Sequence, residues 1–130
     1  MRYTRSIAAL FTAFAVACGA FGAHSLRLSL PVERLAKDLA IWDTAVQYNL
    51  IHAFAALFFA SLSDKILPAK TGGLVAIVML LSITVFSGSL YLLVLTDQRW
   101  LGAITPIGGT GFIFGWCYAA LKLSSYRASR

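Results

Sequence analysis

Four stretches of this chain, Ser6–Leu26, Thr44–Leu62, Gly72–Thr96 and Trp100–Leu123, contain no Asp, Glu or Arg, and their one Lys, Lys122, sits at an end where it can snorkel. Each is about the 20 residues that a helix needs to cross the hydrocarbon of a bilayer, where every backbone N–H and C=O must be satisfied within the segment. Four such segments use up most of 130 residues and leave no room for a separate soluble domain. Apolar residues make up 59% of the chain and charged residues 12%, against roughly 45–50% and 25% in soluble domains. The same figures, with only two cysteines, exclude a disordered chain and a disulfide scaffold. The expected fold is all-α: an integral membrane four-helix bundle forming a single domain over residues 1–130.

Loop charges give it a direction. Arg2, Arg5, Lys65, Lys70, Lys122, Arg127 and Arg130 share one side with the single acid Asp64. The other side balances Arg27, Arg34, Lys37 and Arg99 against Glu33, Asp38, Asp43 and Asp97. The positive-inside rule then places both termini in the cytoplasm. A basic balance can mark a nucleic-acid binder. Here the cations are scattered over short flanks of apolar spans, so the expected partners are anionic lipid headgroups on the cytoplasmic side, with no nucleic acid. The N-terminal Arg-flanked apolar run and the weak lipobox ending at Cys18 also suit a secretory signal, but the run is long for one and is read as the first span.

In the loop after that span, Pro31 suits the first turn of a helix, and Leu35, Leu39, Trp42 and Val46 recur at helical spacing while Glu33, Arg34, Lys37 and Asp38 point elsewhere. This predicts a short amphipathic helix lying on the outer surface before the chain turns into span two; the other reading is a polar loop that continues the span.

Helices in lipid associate through small residues. Ala15, Gly19 and Ala23 on span one, with Gly22 beside them, Thr84 and Gly88 on span three, and Gly111 and Gly115 on span four are the candidates. They fit packing inside one molecule or self-association. Pro106 lacks an N–H and has Gly108, Gly109 and Gly111 close by, which predicts a kink or short unwound stretch in span four.

Polar residues inside the spans fall at similar depth. Span two carries Gln47, Tyr48, Asn49 and His52, with His52 about 12 Å below its outer end at ~1.5 Å per residue. Ser87, Ser89 and Tyr91 of span three lie roughly 7–14 Å down on the same count. Thr105 of span four falls in that outer half, and His24 sits near the rim. Two readings stand: a polar pocket open to the outer face with His52 as proton acceptor or ligand contact, or a hydrogen-bonded layer that fixes helix register.

Other chemistry lacks residues. His24 and His52 differ in depth by about 9 Å, too much for facing haem ligands. Cys18 and Cys117 differ too much in depth to pair. There is no CxxC, HExxH, P-loop or nucleophile elbow. A proton-coupled exporter needs an intramembrane carboxylate, and every acid here reads as a loop residue. Neither a cofactor nor a metal is expected, and no catalytic residue is assigned.

Four motifs in order, Gly19-Ala20-Phe21-Gly22-Ala23-His24, Thr44-Ala45-Val46-Gln47-Tyr48-Asn49-Leu50-Ile51-His52, Phe86-Ser87-Gly88-Ser89-Leu90-Tyr91 and Thr105-Pro106-Ile107-Gly108-Gly109 followed by Gly115-Trp116, resemble the YgdD-like family of small membrane proteins from roughly residue 7 to 120. The resemblance implies a four-span inner-membrane protein with no established activity. The expected function is a non-enzymatic accessory subunit or scaffold, within a larger membrane complex or self-associated; the alternative is a unit that binds or transports a small ligand or lipid headgroup around His52.

Overall fold

A computed structural model describes residues 2–62, 64 and 66–128; of the basic flank, Lys65 and Arg130 lie outside it. The described residues hold no strand. Helix α1 (Arg2–Phe21) runs through a π-helical turn, Gly22–Leu26, into the three-residue α2 (Arg27–Ser29). Helix α3 (Val32–Ser61) follows Pro31, and α4 (Ala69–Thr96) follows Pro68, with the Ala69 N–H donating to Asp64 Oδ1 at 2.7 Å. Helix α4 stops at Asp97, which takes the left-handed conformation at φ 57°. A 3-10 helix, Arg99–Ala103, then leads to α5 (Thr105–Ala128).

Successive long helices run antiparallel, as their cross-links require. Arg5 Nε near the start of α1 donates to the Ala60 carbonyl near the end of α3 at 3.0 Å. Ser87 of α4 donates to the Ala45 carbonyl of α3 at 2.8 Å, and Gly111 of α5 faces Ser82 of α4. Helices α3 and α4 form the most intimate pair; α1 packs chiefly on α3, and α5 on α4. Close approach depends on small residues: Ala45, Ala53, Ala56 and Ala60 of α3 are fully buried. On α5, a Cβ at Gly108 would strike the Phe86 backbone, one at Gly111 would strike Ser82 Oγ, and one at Gly115 would crowd Met79. These glycines therefore bring α5 onto α4. Two apolar clusters fill the molecule. One, around Phe59, Met79, Ile83 and Phe112, lies toward the end where α1 begins; the other, around Trp42, Tyr91, Leu93 and Val94, lies toward the opposite end.

Three segments are long and apolar enough to cross a membrane: Tyr3–Ser29, Ala69–Thr96 and Arg99–Ser125. Helix α3 is long but too polar to join them, because Gln47, Asn49 and His52 interrupt its apolar half.

Three expectations are corrected. The amphipathic stretch after Pro31 is not a separate short helix followed by a turn; it is the first part of α3, and no Gly or Pro between Val32 and Ser61 could break that helix. Its acids are helical rather than loop residues, and Asp38 is completely buried. Pro106 does not kink a helix from within. It stands in the first turn of α5, where its missing N–H has no helical partner to lose, and the irregular stretch is the 3-10 helix before it.

Candidate functional site

The polar residues within the apolar helices separate into two groups, because Asn49 leaves α3 in a different direction from Tyr48 and His52. Asn49 is 1% exposed and faces α4, where its Nδ2 donates to the Tyr91 hydroxyl at 3.3 Å. Its Oδ1 is buried with no hydrogen-bond partner among the described residues. The Tyr91 ring packs 4.7 Å from Trp42 and 5.9 Å from Phe14, and the Trp42 indole N–H donates to the Cys18 carbonyl at 2.8 Å. A Cβ at Gly22 would collide with that indole, so this glycine admits it. Phe14, Asn49 and Tyr91 border a groove of about 780 Å³ between α1 and α4, with Ser87, Gly88 and Ser89 along it.

The second group lies on the α5 side. His52 donates its Nδ1–H to the Tyr48 carbonyl at 2.8 Å, and its ring stacks on Phe112 with centroids 3.6 Å apart. Tyr48 stacks on Phe86 at 4.4 Å, and Trp116 approaches His52 edge-on. Tyr48, His52, Pro106, Gly109 and Trp116 border a groove of about 750 Å³. At the junction of α4 with α5, the Ser89 and Thr105 hydroxyls share a hydrogen bond of 2.8 Å.

One shared pocket is therefore corrected to two grooves: His52 belongs to one, and Asn49 and Tyr91 to the other. His24 is exposed on the π-helical turn and Gln47 is exposed on α3, so neither joins the layer. Gly19 is in ordinary contact with Val46, whereas a Cβ at Gly88 would meet nothing within 4 Å, so packing inside the molecule does not require that glycine. Cys18 is buried, Cys117 is exposed, and both are free thiols. Among the described residues, no three His, Cys, Asp or Glu side chains gather as a metal site.

Sequence reasoning missed a ring of charge. The Asp38 carboxylate meets Arg34 Nε at 2.9 Å and Arg99 Nη1 at 3.0 Å. Asp97 meets Arg99 Nη2 at 2.6 Å and also pairs with Arg34. Two acids and two guanidiniums thus close a neutral circuit between the start of α3, the end of α4 and the 3-10 helix. Arg34 also donates to the Val94 carbonyl at 3.4 Å. The readable signal was Asp38, Trp42, Ala45, Asn49 and His52 at alternating steps of four and three, a stripe that puts Asp38 on the buried face of one unbroken helix.

Long apolar helices, joined by short turns and pinned by buried polar contacts, define a small, all-helical membrane protein. Comparison with known proteins places it further. Residues 18–109 match the family described as "Protein of unknown function (DUF423)". The chain is 38% identical to the UPF0382 membrane protein YwdK of Bacillus subtilis over 120 residues, covering 92% of this chain and 94% of the relative. It is 41% identical to a UPF0382 membrane protein of Staphylococcus saprophyticus over 110 residues, covering 85% and 87%. A Haemophilus influenzae UPF0382 membrane protein is 38% identical over 125 residues, covering 92% and 94%. The chain belongs to the DUF423 family of UPF0382 membrane proteins, an uncharacterised family, as its motifs lead one to expect, although these relatives do not carry the YgdD-like label. No solved structure matches it.

Proposed function

We propose that this chain is a non-enzymatic, multi-pass protein of the bacterial inner membrane that serves as an accessory subunit or scaffold of a membrane complex. Its four long helices all cross the bilayer, with both termini in the cytoplasm and the basic flank against anionic headgroups. One observation carries the reading: three polar side chains inside the apolar helices tie one helix to another. Ser87 reaches the Ala45 carbonyl, Ser89 meets Thr105, and Trp42 reaches the Cys18 carbonyl. Such links fix the relative positions of helices and leave apolar outer faces for lipid or a partner. The bacterial membrane relatives support the compartment. Gentle extraction from the native membrane followed by affinity purification tests the role. The expected result is a second polypeptide at fixed stoichiometry. Recovery of this chain alone, under conditions that keep other membrane complexes intact, would overturn it.

A further inference from the structure

The groove between α1 and α4 contains something that helix packing does not account for. Asn49 is 1% exposed, yet its amide makes one hydrogen bond, to Tyr91, and leaves Oδ1 buried and without a partner among the described residues. A buried amide oxygen without a donor costs about 1–3 kcal/mol, so a molecule that supplies the donor gains correspondingly. Gly88 lines the same groove, with nothing within 4 Å of where a side chain would begin. A glycine inside a helix is about 1 kcal/mol worse than alanine, and no neighbour inside this molecule needs the space.

We propose that this groove is a binding site for a small, membrane-partitioning hydrocarbon that carries a hydroxyl group, such as an alcohol or phenol, the hydroxyl donating to Asn49 Oδ1. Apart from Asn49, the serines, Thr84 and Tyr91, the walls are hydrocarbon. The rim residues Leu10, Phe14 and Leu92 are more than half exposed, so the groove opens sideways to the lipid from which such a molecule would enter. Its volume of about 780 Å³ lies in the range of small-molecule sites, which are mostly apolar with a few placed polar groups. A partner helix fits less well. Leu101 and Ile104 of the 3-10 region also line the groove, so it is not a clear trench along α4. A helix backbone, moreover, has already committed its N–H groups and has none to offer Asn49.

The test compares 4-hexylphenol with hexylbenzene, which differ only in the hydroxyl, on the full-length protein in lipid nanodiscs, reading affinity from the shift in unfolding temperature. The phenol is expected to bind roughly tenfold more tightly, the worth of one hydrogen bond. Asn49→Leu keeps the branching at Cγ and removes the unpaired amide, and it should erase the difference. Gly88→Leu fills the groove from a position with free space, so the protein folds but both compounds lose affinity. Equal binding of the two compounds to the wild type, or an unchanged preference in Asn49→Leu, would overturn the proposal. So would a photoreactive residue at Thr84 that cross-links to a polypeptide rather than to lipid-sized molecules.

Discussion

Asp38 shows how one side chain can be decisive in a protein made mostly of hydrocarbon. Fully buried, it is held by guanidiniums that are themselves 25% and 41% exposed. Removing one partner of a fully buried ion pair costs about 3–5 kcal/mol; because both arginines here reach solvent, Asp38→Ala is expected to cost about 2 kcal/mol. Denaturant unfolding in mixed micelles measures this, with Glu33→Ala, exposed in the first turn of the same helix, expected to change little. The glycines make a second contrast. Gly108→Ala drives a methyl into the Phe86 backbone and should destabilise by about 1–3 kcal/mol, whereas Gly88→Ala meets open space and should gain up to about 1 kcal/mol from helix propensity. Equal effects at the two positions in the same unfolding assay would contradict the assigned packing. At this scale the sequence was partly legible. Depth counting drew attention to Asn49, His52, Ser87, Ser89, Tyr91 and Thr105, but depth does not say which neighbour a residue meets: from one buried stripe of α3, Asn49 meets Tyr91 of α4 and His52 meets Phe112 of α5. The charge ring was hidden because Asp97 and Arg99 come to Asp38 from another helix end, a pairing that only tertiary structure creates.

Helix α3 is the element whose behaviour least follows from local composition. Its first three turns carry Glu33, Arg34, Lys37, Asp38 and Asp43, which read as surface, and its later part reads as a span. The buried stripe from Asp38 through Trp42, Ala45, Asn49 and His52 runs through both without a break in phase, and the helix is continuous across them. Spin labels at Lys37 and Phe58, both exposed, should lie about 32 Å apart at ~1.5 Å per residue. A helix that turned at the membrane surface near Thr44 would bring them to roughly 25 Å. The boundary of α5 makes a similar point. A proline followed by glycines inside an apolar run suggests a kink, yet the same Pro106 serves equally as a first-turn residue, and which role it takes depends on where the 3-10 helix ends. Thr105→Val should loosen this junction by removing the hydrogen bond to Ser89, at a cost of about 1 kcal/mol.

For the molecule as a whole, the all-helical membrane character was legible in the apolar runs, and the family match agrees with it. The number of crossings turns on α3, because its polar residues keep it out of the set that qualifies by length and composition. Polar residues are tolerated inside the membrane where partners travel with them, and the Asn49–Tyr91 and His52–Tyr48 contacts supply one partner each for Asn49 and His52. If α3 crosses, Lys70 lies on the same side as Thr4, and Leu28 lies on the same side as Gln98. Single cysteines at these four positions, in a background with Cys18 and Cys117 replaced by alanine, can be labelled in intact cells with a membrane-impermeant thiol reagent. Four crossings with both termini cytoplasmic predict labelling at positions 28 and 98 and none at 4 and 70. Labelling at 70 from outside, with 4 protected, would mean that α3 does not cross and would contradict the account.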